Sequence, residues 1–185
     1  ALKEHRRALP DIRKGQYEGF AEKMKLPDWL PDYGPATFTA QSGATVIGAR
    51  NILVAFNISL NTKDVDKAIY IAEHIRERGY IIEENGKRKK LSGLLSKVRA
   101  IGWYMEDYET AQVSMNLLDY RISSPLKVWE TCNALAAEVG TSLLGCELIG
   151  LMPLECMVEA GTYAYMKEQE EVPNDEEIIV HRAIE

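Results

Sequence analysis

The nine residues Ile52-Leu-Val-Ala-Phe-Asn-Ile-Ser-Leu60 alternate along their whole length. In an extended chain Ile52, Val54, Phe56, Ile58 and Leu60 point to one side, and Leu53, Ala55, Asn57 and Ser59 to the other. A helix of period 3.6 would scatter the same residues around a cylinder, so this is a strand with one apolar and one mixed face. A second alternation follows within 110–120, where Ala111, Val113, Met115 and Leu117 oppose Gln112, Ser114 and Asn116. Two such strands need a layer of helices against their apolar sides, and the sequence supplies it.

Asn61 or Thr62 is placed to cap a helix carrying Val65, Ala68, Ile69, Ala72 and Ile75 on one stripe and ending at Gly79. The stretch "YIIEENGKRKK" centres on Asn85-Gly86, a strong hairpin signal. A strand is expected at 98–105, before the one at 110–120. Ser123 or Ser124 caps the next helix, with Pro125 at its first position and Val128, Cys132, Leu135 and Val139 as its buried stripe. A short strand at 142–148 comes next, then a last helix from Pro153 that uses Leu154, Met157, Val158, Gly161 and Tyr165. Residues 177–184 read as an edge strand or a helix start. Upstream, Ile12, Gln16, Phe20 and Met24 predict a helix over 4–24, and the prolines of 27–35 end it. From residue 52 the order is β-α-β-β-α-β. The fold class expected is therefore α+β, a ferredoxin-like sandwich with an extra C-terminal helix, preceded by a helix and a glycine-rich loop. Helices would cover one sheet face. The other, with Asn57, Ser59, Gln112, Ser114 and Asn116, is either solvated or opposes a second layer across a ligand-sized gap.

Composition excludes several functions. The 185 residues are 46% apolar and 27% charged, as in a globular domain, and the net charge of −6 weighs against nucleic acid. Basic residues concentrate locally at Lys87, Arg88, Lys89, Lys90, Lys97 and Arg99, as a solvated hairpin tip or a seat for a small anion. The three cysteines, Cys132, Cys146 and Cys156, fit no metal spacing and read as reduced core thiols of a cytoplasmic protein. His5, His74 and His181 are scattered, so no metal is expected, and they read as surface or tail residues. Glu147 and Glu155 interrupt the best apolar run, which argues against a membrane span. Ala1 opens the chain in place of an initiator Met, which points to a segment of something longer.

The loop "GPATFTAQSGATVIGAR", Gly34 to Arg50, contains two glycines with four residues between them, Gly43 and Gly48. A phosphate-binding loop would continue with Lys and Ser or Thr and run into a helix. Here Ala49 and Arg50 follow and a strand comes next, so nucleotide phosphate is excluded. Gly34, Gly43 and Gly48 are expected to adopt positive φ or to permit close backbone approach, either to the protein itself or to a flat ligand.

Five separated blocks, "DYGPATFTAQSGATVIGARNILVAFNISL", "AIGWYMEDY", "AQVSMNLLDY", "LIGLMPLECMVEAG" and "IRKGQYEG", resemble the formiminotransferase family. The resemblance runs in order from about Leu9 to about Ala164. It implies two α/β subdomains whose sheets face each other with folate between them. Residues 1–51 would be the end of the first subdomain and 52–185 the second, through which homodimers form. It also implies formimino transfer from N-formimino-L-glutamate to N5 of tetrahydrofolate. The family's folate-contacting segment corresponds to Gly34, Pro35, Ala36, Thr37, Phe38, Thr39, Ala40, Gln41, Ser42 and Gly43. Of these, Gly34, Pro35, Phe38 and Gly43 match directly and Thr37 conservatively, whereas Thr39 to Ser42 depart. The family's catalytic His lies in a Gly-Glu-His-Pro-Arg-type motif absent from this chain, so no residue here is assigned catalysis. Candidate substrate-binding residues are Arg50, Asn57, Lys97, Gln112 and Asn116. Arg50 suits a substrate carboxylate or a structural ion pair at a strand start, and Lys97 a folate glutamate tail. Two other readings share these residues: a non-catalytic folate-binding or assembly module, and transfer of formyl rather than formimino. A ferredoxin-like regulatory domain for an amino acid fits the topology but not the five blocks.

Overall fold

A computed structural model describes residues 4–184. The chain forms two compact units divided between Arg50 and Asn51.

The first unit lacks the continuous helix expected over 4–24. It contains a 3₁₀ turn at Glu4–Arg6, helix α1 (Leu9–Arg13), helix α2 (Phe20–Lys23) and a second 3₁₀ turn at Pro27–Trp29. The break falls at Gly15 and Gln16, whose φ values of +89° and +51° lie outside any right-handed helix. A four-residue apolar spacing survived the break, so periodicity alone misled. Two cations tie the pieces together. The Lys23 ammonium donates to the carbonyls of Asp11, Ile12 and Lys14 at 3.0, 2.6 and 3.0 Å, satisfying the open end of α1. The Arg6 guanidinium donates to the Asp28 and Leu30 carbonyls at 2.5 and 2.6 Å and to Asp32 at 3.0 Å. It thereby ties down the chain that leads into the glycine loop.

The second unit is α+β. Strands β1 (Val54–Leu60), β4 (Val98–Met105), β5 (Thr110–Leu117) and β6 (Leu143–Ile149) form one sheet in the order β4-β5-β1-β6. Every neighbouring pair is antiparallel. Two crossovers interlock to make it. Helix α3 (Val65–Ile75) carries the chain from β1 to β4 and leaves a slot that β5 fills. Helix α4 (Pro125–Glu138) carries it from β5 to β6 and leaves a slot that β1 fills. This is the ferredoxin-like pattern the element order implied. The Asn85-Gly86 hairpin, β2 (Tyr80–Glu84) and β3 (Lys87–Leu91), stands as a separate two-stranded sheet inserted between α3 and β4.

Both helices lie on the same side of the sheet. Val54, Phe56, Ile58 and Leu60 of β1 and Ala111, Val113, Met115 and Leu117 of β5 share one core with Ala68, Ile71, Ala72 and Ile75 of α3 and Val128, Cys132, Leu135 and Ala136 of α4. Asp64, rather than Asn61 or Thr62, caps α3 by accepting from Asp66 N–H. Ser124 caps α4 by accepting from Lys127 N–H. Helix α5 (Leu154–Lys167) is not the last. Residues 177–182, left open between strand and helix, fall in α6 (Glu176–Arg182), which Asp175 caps. Buried Ile179 of α6 packs on Gly161 of α5, where an added Cβ would sit 1.9 Å from the Ile179 carbonyl.

Cys132 and Cys156 are buried, and burial pushes their thiols up to about 12 and about 11. Cys146 departs from the core-thiol expectation because β6 is the sheet's edge strand, and this residue is exposed there. Among the described residues no helix is long and apolar enough to cross a membrane, and no cluster of metal-ligating side chains occurs.

Candidate functional site: the helix-free sheet face

Register settles which side chains share the face that the helices leave uncovered. Ser59 lies opposite Gln112 on β5 and Gly145 on β6, and Gln112 lies opposite Trp103 on β4. One step along, Asn57 lies between Ser114 and Glu147, with Ile101 beyond Ser114. The next row holds Ala55, Asn116, Arg99 and Ile149. The expected grouping of Asn57, Ser59, Gln112, Ser114 and Asn116 on one face is therefore real, and Glu147, Trp103 and Arg99 join it.

A connected polar network runs across the first two rows. The Trp103 indole N–H donates to Gln112 Oε1 at 3.0 Å. An indole nitrogen can only donate, so the Gln112 amide is turned with its NH₂ group toward β1 and β6. That NH₂ reaches Ser59 Oγ and Glu147 Oε2, both at 3.3 Å. Asn57 Nδ2 donates to the same carboxylate oxygen at 3.2 Å. The Tyr108 hydroxyl donates to Glu147 Oε1, also at 3.2 Å. Gln112 is 0% and Asn57 6% exposed, so these amides are interior groups although no helix covers them. Buried amides of this kind persist only when paired, and Glu147 supplies the acceptor.

Beside the network lies a shallow concavity of about 350 Å³, lined by Ser59, Tyr108, Thr110, Leu144, Gly145, Cys146 and Glu147. Gly145 leaves it open: nothing lies within 4 Å of where a Cβ would stand. The hydrogen bond to Glu147 raises the Tyr108 phenol above its ordinary value of 10.0, with the carboxylate charge adding to the effect. Tyr108 is thus a donor at neutral pH. Because the folded value is raised, the contact contributes fully below pH 10.0 and is lost as pH climbs through the raised value. Ultraviolet titration checks this: Tyr108→Phe should remove a phenol that ionises later than a free tyrosine, and loss of one that ionises normally would disprove the contact.

The other candidates sit apart from this network. Asn116 is on the same face but exposed, one row beyond Asn57. Lys97 is exposed just before β4, with a left-handed φ of +62°, and its carbonyl accepts from Leu118 N–H at 2.7 Å. In the hairpin, Lys89 pairs with Glu84 at 3.0 Å, so the basic run is partly self-compensated. Arg50 belongs to the first unit, is exposed, and makes no ion pair among the described residues. With β1 starting at Val54, the strand-start ion pair has no support.

The 34–43 loop also belongs to the first unit. Gly34 and Gly43 take φ of +85° and +59°, so the expected conformational need holds for them. Gly48 has no positive φ, and no protein atom lies within 4 Å of where a Cβ would stand. A turn at Thr39 closes the loop, with Gly43 N–H donating to the Thr39 carbonyl at 2.8 Å. The Phe38 ring meets Tyr17 and Phe20 edge-on at 5.7 and 5.8 Å, and the Tyr17 hydroxyl donates to the Ala40 carbonyl at 2.6 Å. The N–H groups of Ala36, Thr37 and Phe38 have no acceptor among the described residues. The loop therefore offers a braced aromatic ring beside free donors.

A model of the formiminotransferase domain matches residues 55–185, and one of its N-terminal subdomain matches residues 1–50. The chain belongs to the formiminotransferase family. It is 42% identical over 165 residues to formimidoyltransferase-cyclodeaminase of Rattus norvegicus, covering 89% of this chain and 29% of that protein. Against glutamate formimidoyltransferase of Streptococcus pyogenes serotype M1 the identity is 37% over 163 residues, or 88% of this chain and 50% of the relative. Glutamate formimidoyltransferase of Thermoplasma acidophilum is 31% identical over 148 residues, 80% of this chain and 44% of its own length. This formiminotransferase-family chain thus spans half or less of each of these relatives.

Glu147, Trp103 and Tyr108 were not recognised from sequence as site residues. In "LLGCELIG" the signal was present: one charged residue inside an apolar strand, two positions from a glycine. Trp103 and Tyr108 both lie within the matching block "AIGWYMEDY".

Proposed function

We propose that this chain is part of a folate-dependent transferase. The complete protein moves the formimino group of N-formimino-L-glutamate to N5 of tetrahydrofolate, in histidine degradation in the cytoplasm. Family membership supports the reaction class. The single observation that carries the placement is the helix-free face with two buried amides turned toward a carboxylate, a surface built to meet ligand rather than core.

In this reading the nitrogen attacks the amidine carbon, a tetrahedral intermediate forms, and the glutamate amine leaves after protonation. That proton calls for a general acid near neutral pH, for which histidine is suited. Two of the three histidines of this chain are occupied elsewhere. His5 Nε2 lies 2.7 Å from the Asp28 carbonyl, and its ring meets Trp29 edge-on. His74 is stacked between Tyr70 and Tyr80 at 3.8 and 3.9 Å, with Nδ1 on the Tyr70 carbonyl. His181 is exposed on α6. The acid is therefore assigned to the remainder of the N-terminal subdomain, which also faces the open sheet. Gly34 to Gly43 contribute the Phe38 ring and free amides to the pterin, a flat group rich in donors and acceptors. Arg50, Asn57, Lys97, Gln112 and Asn116 hold the substrates, and homodimers form through the second unit. The reaction needs no metal.

Formimino transfer is assayed with the complete protein, with this chain alone, and with this chain plus the remaining half. Turnover is expected in the first and third. Turnover by the chain alone overturns the division of roles, and none by the complete protein overturns the function. The histidine placements also favour a second reading, a folate-binding module without chemistry; folate binding by a complete protein that shows no turnover would select it.

A further inference from the structure

Glu147 is the only acidic residue that the register sets on the helix-free face. Three neutral donors, from Asn57, Gln112 and Tyr108, converge on it. No cation is paired with it among the described residues. Arg99, the basic residue on that face, stands on the far edge strand, about 14 Å across the sheet at roughly 4.8 Å per strand and one row further along. The charge is thus fixed in position by rigid amides and left uncompensated beside a concavity.

The two oxygens are not equivalent. Oε2 takes both amides, whereas Oε1 takes only the Tyr108 hydroxyl. A carboxylate offers about four acceptor positions, so Oε1 keeps one open. Both Glu147 and Tyr108 line the concavity, whose volume of about 350 Å³ admits a small polar group. The chemistry that fits is a cationic N–H donor.

Resting on the function proposed above, we infer that Glu147 is the specificity determinant that selects a formimino donor over a formyl donor. The formimino group of N-formimino-L-glutamate is a planar amidinium whose terminal nitrogen carries protons and positive charge, and it donates to Glu147 Oε1. A formyl group places a carbonyl oxygen at the same position. Oxygen then faces oxygen, neither can donate, and the neutral donor is rejected by repulsion as well as by the missing hydrogen bond.

The test measures kcat/KM for N-formimino- and N-formyl-L-glutamate with tetrahydrofolate, using the complete protein and its Glu147→Gln and Glu147→Asp variants. Glu147→Gln should lower the formimino-to-formyl ratio roughly 10- to 100-fold, the worth of one charge-assisted hydrogen bond. Glu147→Asp keeps the charge and should keep the direction of the preference. A ratio that Glu147→Gln leaves within about twofold of wild type overturns the inference, even where both rates fall together. A wild-type readout covers a variant that fails to fold: formamidinium should compete with the formimino donor more strongly than formamide does, and equal competition overturns it. Wild-type protein that transfers formimino but keeps its ratio in Glu147→Gln sinks this inference alone. Wild-type protein that transfers neither group sinks the function with it.

Discussion

Replacing Gly102 with valine should cost at least about 3 kcal/mol of stability, read as a lower denaturant midpoint at unchanged slope. Gly102 lies in β4 on the side facing α3, and a Cβ there would stand 2.2 Å from Ile69 N and 2.3 Å from Ala68 C. Both contacts are helix backbone, so no rotamer change relieves them, and the whole helix must move off the sheet. That movement would open the core in which Ala68, Ile71 and Ile75 are fully buried. Alanine at the same position already introduces the clash and should cost more than about 1 kcal/mol. A Gly102→Ala variant as stable as wild type would show that α3 does not approach β4 so closely.

The largest functional effect is expected from Gln112→Leu. Leucine fills the volume but leaves the Trp103 indole N–H without its acceptor and removes one of the two amides on Glu147 Oε2. Gln112 is fully buried, but Trp103 is 38% exposed and Glu147 half-buried, so water replaces part of what is lost and the cost in stability is about 1 kcal/mol. With the carboxylate no longer held, affinity for at least one substrate of the complete protein should fall about tenfold or more, as measured by calorimetric titration. Unchanged affinity for both substrates would dismiss Gln112 from the site. The comparison with Asn116→Ala is informative, because Asn116 shares the face but is exposed and outside the network. Its loss should matter less.

Much of the second unit was legible in advance. Alternation at 52–60 and 110–120 gave the strands their faces, Asn85-Gly86 gave the hairpin, and Pro125 and Gly140 bracketed α4 closely. Each of these signals is local, written in a handful of consecutive residues, and tertiary contacts had only to agree with it. The misreadings were local as well. The spacing of Ile12, Gln16, Phe20 and Met24 mimicked a helix, yet Gly15 lies among them with a left-handed φ and breaks it. The apolar neighbours of Cys146 mimicked a core position, and it does lie opposite buried Ile58, yet β6 is an edge strand and the residue stays exposed there.

The sequence by itself determined the α+β order of elements and the polar character of one sheet face, because backbone period and turn chemistry act over a few residues; the family was carried separately, by the resemblance of its matching blocks. Only the tertiary structure decided that Glu147, ninety residues from Asn57 in the chain, would accept from it and from Gln112. Cross-strand register is set by how the two crossovers interlock. That interlocking reflects the burial of a shared core, a property of the assembled sheet that no single segment carries.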